Sequence, residues 1–144
     1  MMGKWDKRFY RMAREVASWS KDPTQKVGAV LVSPDKRQVS WGYNGFPAAI
    51  EDTDDRLNNK EVKNAYMIHA ELNAILNAKK DLKGWTLYVT KFPCTACALA
   101  IVQSGISRVV AQKIYDDSSW YANQTAARLI FAQGDIRVRE VYAP

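Results

Sequence analysis

The sequence predicts an α/β fold in which a mixed five-stranded sheet is covered by helices on both faces. Three observations support this prediction. Apolar residues recur at helical spacing in the first segment, two strand patterns flank a turn signal after it, and strand patterns then alternate with helix patterns. The chain has 144 residues, a length typical of one domain, so a single domain over 1–144 is expected.

The first elements are a helix and a hairpin. Apolar residues recur every three or four positions over Asp6–Trp19, which predicts an amphipathic helix. The apolar run Val27–Val32 predicts a buried strand. The turn signal Ser33–Lys36 then leads to Val39–Tyr43 as the partner strand.

Two loops are expected to connect the hairpin to a second helix. The first is the glycine-bearing segment Gly42–Pro47, and the second is the acidic, polar stretch Glu51–Asn59. A helix is then expected over His69–Lys80, with Gly84 just beyond its end. Three apolar residues of this helix are predicted to share one face: Leu72, Ile75 and Leu76.

The rest of the chain alternates strands with helices. Glycines are expected to end both helices, Gly105 the first and Gly134 the second. The expected elements are strand Trp85–Thr90, helix Cys94–Ser104, strand Arg108–Ala111, helix Ser118–Gln133 and strand Ile136–Tyr142. The predicted order is therefore αββαβαβαβ.

Composition limits the function. Lys and Arg exceed Asp and Glu by 21 to 15, a net charge of +6 that favours anionic partners. The basic residues are scattered, so no nucleic-acid partner is expected. No apolar run approaches the ~20 residues needed to cross a bilayer, and the segment 1–6 lacks an apolar signal core. A cytoplasmic location is expected (the host cytoplasm for a viral protein).

Two short motifs carry the chemistry. Cys94 and Cys97 lie at i and i+3 at a predicted helix start, so their sulfur atoms share one face and the helix dipole favours thiolates. His69, the single histidine, offers a third ligand at another helix start. Three protein ligands with one open position are typical of a catalytic zinc. Glu71, two residues after His69, is placed to accept a proton from the water on such an ion.

Each feature alone has a simpler explanation. A Cys-x-x-Cys pair is often a redox pair or half of a zinc finger, a single histidine is often a core residue, and a glutamate in a first helical turn often only complements the dipole. A zinc finger would need two further ligands, which the chain lacks. The combination of His-x-Glu with Pro-Cys-x-x-Cys favours a zinc deaminase.

The chain resembles the deoxycytidylate deaminase family of the cytidine deaminase superfamily over nearly its whole length. The zinc-motif stretches His69–Ile75 and Phe92–Cys97 mark the superfamily. Three further stretches mark the family: Ser20–Ala29, Gly42–Pro47 and Thr125–Phe131. The resemblance implies a cytidine deaminase-like fold, one catalytic Zn²⁺ per chain, a hexamer, and conversion of dCMP to dUMP for thymidylate synthesis.

The resemblance also implies a mechanism and a substrate site. Zinc-bound hydroxide attacks C4 of the cytosine ring, and Glu71 carries protons to N3 and to the leaving ammonia. Backbone groups near Ala70 and Cys94 are expected to hold the pyrimidine edge, and Asn44 to bind the sugar 3′ hydroxyl. Candidates for contact with the phosphate are Ser20, Lys21, Thr24, Lys26, Tyr115 and Asp116.

An effector site is implied as well. The family loop binds a triphosphate, with dCTP activating, dTTP inhibiting and Mg²⁺ accompanying the effector. Ala49 stands where the family has the last glycine of this loop, which places effector binding or the loop conformation in question. The effector residues implied by the resemblance are Gly42, Tyr43, Asn44, Gly45, Pro47 and Asp52.

Two other functions compete with this interpretation. A tRNA adenosine deaminase shares both zinc motifs, but that family usually has an acidic residue where this chain has Phe92, and it lacks the Gly42–Pro47 stretch. A non-catalytic, zinc-stabilised module that binds nucleic acid would have no use for the Glu71 carboxylate. Release of ammonia from dCMP separates all three.

Overall fold

A computed structural model describes residues 2–142 as a five-stranded sheet with helices on both faces. Met1, Ala143 and Pro144, the ends of the predicted 1–144 domain, lie outside these residues. The strands are β1 (Gly28–Val32), β2 (Val39–Tyr43), β3 (Thr86–Val89), β4 (Arg108–Gln112) and β5 (Arg137–Val141). The helices are α1 (Lys4–Ala17), α2 (Asp54–Asn58), α3 (Lys60–Tyr66), α4 (Ala70–Ala78), α5 (Thr95–Gln103) and α6 (Tyr121–Gln133).

The sheet has the order β2-β1-β3-β4-β5 and is mixed, as predicted. β1 pairs antiparallel with β2 and with β3, whereas β3, β4 and β5 run parallel. Alternating residues of the strands point to two separate apolar layers. One layer packs under α1, and the other packs under α4, α5 and α6. The predicted mixed sheet with helices on both faces is confirmed.

The prediction of a loop over Glu51–Asn59 is wrong, because this stretch contains α2 and leads into α3. Both helices are short and capped by side chains. Thr53 accepts a hydrogen bond from the Arg56 amide at 3.3 Å, and Asn59 accepts one from the Val62 amide at 3.2 Å. Such caps stabilise helices that bury little of their own surface.

Other helix ends differ from the expectations by a few residues. α4 ends at Ala78 because Lys79 adopts a left-handed conformation (φ 51°). α6 begins at Tyr121, three residues after the predicted start. Gly105 has a left-handed φ of 81° just after α5, as predicted for a residue that ends a helix.

Helix α4 packs closely on the edge strand β2. A Cβ atom on Gly42 would lie 2.4 Å from the Ala74 amide nitrogen and 2.7 Å from the Ala70 carbonyl oxygen. Asn73 and Asn77 donate side-chain hydrogen bonds to the carbonyl oxygens of Tyr43 (2.8 Å) and Trp41 (3.0 Å). β2 therefore positions the start of α4.

The apolar residues of α4 divide between two environments. Ile75 packs against the core, whereas Leu72 and Leu76 are exposed.

Within residues 2–142, no helix has both the length and the apolar character needed to span a membrane.

Candidate active site

A cavity of about 1020 Å³ lies where α4 and α5 begin. Its walls come from the segment between α1 and β1, from α2 and α3, from the starts of α4 and α5, and from the turn before α6. Glu71, His69 and Cys94 all line this cavity. The helix starts therefore bring both zinc motifs to one place.

His69, Cys94 and Cys97 form a compact group of potential metal ligands. His69 and Cys94 are the residues immediately before α4 and α5, and Cys97 lies in the first turn of α5. His69 Nδ1 lies 3.4 Å from each sulfur atom, and all three donor atoms lie within 4.8 Å of one another. Tetrahedral zinc with ordinary bond lengths would separate nitrogen and sulfur ligands by about 3.6 Å. The donor set and its spacing fit Zn²⁺.

The electrostatics of this group favour a thiolate. Hydrogen bonds from Cys97 and then from His69 hold the pKa of the Cys94 thiol well below its usual range. The same contact with Cys94 raises the pKa of His69. A soft divalent cation binds such a site as thiolate and neutral imidazole, releasing protons on binding.

Glu71 is the buried acidic group nearest the potential metal ligands, two residues after His69 in the sequence. It lies in the first turn of α4, and its side chain is nearly inaccessible to solvent. Burial raises the pKa of this carboxyl, while His69 and Lys91 oppose the shift. A carboxyl with a raised pKa next to a metal site is suited to accept and return a proton near neutral pH.

Asn44 and Asp22 form a hydrogen-bonded corner of the same cavity. The Asn44 side chain accepts from the Val27 amide (2.8 Å) and donates to the Gln25 carbonyl oxygen (2.8 Å) and to Asp22 (3.3 Å). Burial opposes ionisation of Asp22, but hydrogen bonds from Thr24, Gln25 and Lys63 keep its pKa below the usual value. Asn44 is thus fixed in orientation.

The predicted phosphate contacts occupy different places. Thr24 lines the cavity, and Ser20 is buried behind it, where its hydroxyl donates to the Asn44 carbonyl oxygen at 2.8 Å. Lys21 is exposed and pairs with Asp52 at 3.2 Å. Lys26 and Tyr115 line a separate cavity of about 160 Å³, and Asp116 is exposed. Of the six, only Thr24 lines the main cavity.

The predicted effector residues surround the end of β2. Tyr43 stacks on Trp41 with 6.3 Å between ring centroids, and Gly45 forms a bridge with Ile68. Pro47 is partly buried, Asn44 turns toward the main cavity, and Asp52 faces Lys21. The described non-glycine residues with positive φ are Lys36, Lys79 and Asp135. Ala49 is therefore not left-handed, and alanine imposes no backbone strain there.

Several residues of the cavity were not among the predicted site residues. Lys91 follows β3, is half-buried, and donates to Gln25 Oε1 at 2.9 Å. Lys63 on α3 bonds to Asp22 (3.1 Å) and to Thr24 (2.7 Å). A lysine directly after a buried strand and three positions before Cys94 was a usable signal. The sequence carried no such signal for Lys63, because the helix that contains it was not predicted.

Comparison with known proteins gives one family match. Residues 3–113 match the family model described as "Cytidine and deoxycytidylate deaminase zinc-binding region". An "Uncharacterized deaminase in luxG 3'region" of Aliivibrio fischeri is 44% identical over 140 residues, covering 96% of this chain and 94% of that protein. A human protein named "Deoxycytidylate deaminase" is 38% identical over 147 residues, covering 95% of this chain and 79% of that protein.

A solved structure shares the fold. The dCMP deaminase of cyanophage S-TIM5, in complex with dCMP and dUMP, superposes with a TM-score of 0.77 and covers 98% of this chain and 99% of its own. Its sequence is 22% identical, so the likeness concerns the fold alone.

Proposed function

This chain belongs to the family of cytidine and deoxycytidylate deaminases, and from that membership we propose that it converts dCMP and water to dUMP and ammonia. The observation that supports this function best is the cavity in which a buried carboxyl, Glu71, lies beside a His-Cys-Cys group. The choice of dCMP rests on the human relative named deoxycytidylate deaminase, which aligns with 95% of the chain.

His69 Nδ1 and the Cys94 and Cys97 sulfur atoms would hold the zinc ion, which when bound supplies the Lewis acidity that activates water. Two thiolates and a neutral imidazole offset the ionic charge, so the water needs a separate proton acceptor. Glu71 fills that role. Its carboxylate takes a proton from water and delivers it to N3 of the ring as the water oxygen bonds to C4. It then takes the second proton from the hydroxyl now on C4 and passes it to the amino group, which leaves as ammonia while the C4 carbonyl forms.

Other residues orient the substrate. The backbone groups at Ala70 and Cys94 hold the edge of the pyrimidine, and Asn44 binds the sugar hydroxyl. Asn44 suits this role because Val27, Gln25 and Asp22 fix its amide, and its carbonyl oxygen retains a second lone pair. The product dUMP enters thymidylate synthesis.

We also propose that the chain forms a hexamer regulated by dCTP and dTTP with Mg²⁺. Exposed leucines on the three helices of one face support assembly, because large apolar side chains in water favour a protein partner. They are Leu72, Leu76, Leu99 and Leu129. The segment from Gly42 to Asp52 is the proposed effector site.

The test is ammonia release by the purified, zinc-loaded protein from dCMP, CMP, dCTP, deoxycytidine and a tRNA stem-loop. We expect dCMP to have the highest kcat/KM. Preference for adenosine in the stem-loop would replace the proposal with a tRNA deaminase, and no release from any of the five would make the chain a binding module.

A further inference from the structure

We infer that Lys91 is the residue that selects a substrate carrying a 5′ phosphate, an inference that rests on the proposed deamination of dCMP. The cavity is lined by three lysines: Lys60, Lys63 and Lys91. They differ in the groups that already interact with each ammonium. Those differences single out Lys91.

Lys63 is already neutralised. Its ammonium bonds to Asp22 at 3.1 Å and to Thr24 at 2.7 Å, and its side chain is 11% exposed. Lys60 is exposed at the start of α3, where water and salt screen its charge. Neither offers a free, desolvated positive charge to a ligand.

Lys91 is held by neutral groups. Its ammonium donates to Gln25 Oε1 at 2.9 Å and lies 4.1 Å from the centroid of the Trp120 ring. Within residues 2–142, no carboxylate oxygen lies within 4 Å of this nitrogen. Gln25 and Trp120 therefore fix the position of the charge without cancelling it.

The surroundings strengthen an interaction with an anion. Burial lowers the pKa of Lys91, while Glu71 and Cys94 oppose that shift, so the ammonium is partly stripped of water. A partly desolvated cation attracts an anion more strongly than an exposed one does. With one bond to Gln25, the ammonium keeps donors for phosphate oxygens.

Lys91 lines both the main cavity and the smaller cavity of about 160 Å³, so it lies where the two meet. Lys26 lines the smaller cavity only, and Lys21 faces Asp52. Lys91 is therefore within reach of a phosphate in the main cavity, which neither Lys21 nor Lys26 lines.

The experiment compares dCMP with deoxycytidine in the zinc-loaded protein. Lys91→Met should lower kcat/KM for dCMP roughly 10- to 100-fold and leave deoxycytidine nearly unchanged, because only dCMP carries the phosphate. Lys91→Arg keeps the charge and should retain most of the preference. The control is Lys80→Met, which removes a lysine that likewise donates to a glutamine oxygen (Gln38, 2.7 Å) but lines another cavity.

Binding of dUMP and deoxyuridine, measured by calorimetry, supplies a readout without catalysis. Lys91→Met should weaken the binding of dUMP and leave the binding of deoxyuridine unchanged. Equal losses of kcat/KM for dCMP and deoxycytidine would indicate that Lys91 acts through Glu71 and would overturn the inference. An unchanged preference for dCMP over deoxycytidine would overturn it as well. Lys91→Gln gives the same test if the methionine variant does not fold. Failure of the wild type to release ammonia from dCMP would instead reject the proposed function.

Discussion

At the scale of single residues, the site depends on the contrast between Glu71 and its neighbours. Glu71 is buried beside the three potential ligands, yet it is not one of them. A carboxyl placed in this way can move a proton without holding the metal. Its replacement should therefore separate chemistry from metal binding.

We expect Glu71→Gln to retain zinc and the fold while kcat falls by at least the ~10²–10⁴-fold typical of general acid–base catalysis. Steady-state kinetics, zinc content and thermal unfolding measure the three properties. The matched control is Glu61→Gln, which changes an exposed glutamate in the first turn of α3. Zinc lost together with activity would identify Glu71 as a ligand or a structural residue.

Elemental analysis should find one zinc per chain in the wild type and little in Cys97→Ser, because two remaining ligands hold zinc poorly. Ala96→Ser adds the same hydroxyl at the exposed position between the cysteines and should keep the metal. Two metals per chain, or full occupancy in Cys97→Ser, would be incompatible with the proposed ligand set.

The central residues of the site could be predicted because their relation is local. Cys94 and Cys97 share one helical turn, and His69 and Glu71 share another. The phosphate candidates were harder, because the direction of Lys21 depends on Asp52, 31 residues away in the sequence. Lys91 faces Gln25, 66 residues earlier, and no spacing rule predicts that contact.

At the scale of elements, the contact between β2 and α4 positions the catalytic helix. Gly42 is required by packing, since any side chain there would meet the backbone of α4. A Cβ atom on Gly45 would instead make only an ordinary contact, 3.7 Å from the Tyr43 ring. The two glycines of one loop motif therefore serve different purposes.

Gly42→Ala should lower the free energy of unfolding by about 1–3 kcal/mol or more, the usual effect of overpacking. Gly45→Ala should change it by less than about 1 kcal/mol, because its φ is not left-handed and space is available. Urea unfolding of both variants provides the comparison. Equal stability of the two would show that α4 can move away from β2 without cost.

Strong periodicity made the long elements predictable, whereas α2 and α3 were missed. They bury only Leu57 between them, so no apolar stripe marked them as helices. Their caps, Thr53 and Asn59, were present in the sequence, but threonine and asparagine are equally common in loops.

At the scale of the whole molecule, assembly and regulation are coupled in the proposal. The exposed leucines of α4, α5 and α6 lie on the sheet face that also carries both zinc motifs. A shift between two subunit arrangements would then move the helices that present Glu71 and the metal ligands.

We expect Mg²⁺-dCTP to raise and Mg²⁺-dTTP to lower the apparent affinity for dCMP by roughly 5- to 150-fold, the usual range of allosteric coupling. Velocity against dCMP concentration, with light scattering on the same samples, measures both the coupling and the number of chains. Ala49→Gly should leave the response intact, because Ala49 is not left-handed. A hyperbolic curve unmoved by millimolar triphosphate would mean that the switch is absent.

The two asparagines that contact β2 have a consequence for solubility. β2 is an edge strand with exposed Val39 and Trp41, the type of strand on which amyloid-like stacking of identical chains can begin. Asn73 and Asn77 occupy two of its carbonyl oxygens, so an incoming strand would have to displace them. Detachment of α4 would remove this protection, and the first partly unfolded form to aggregate should be the one in which that helix has come loose.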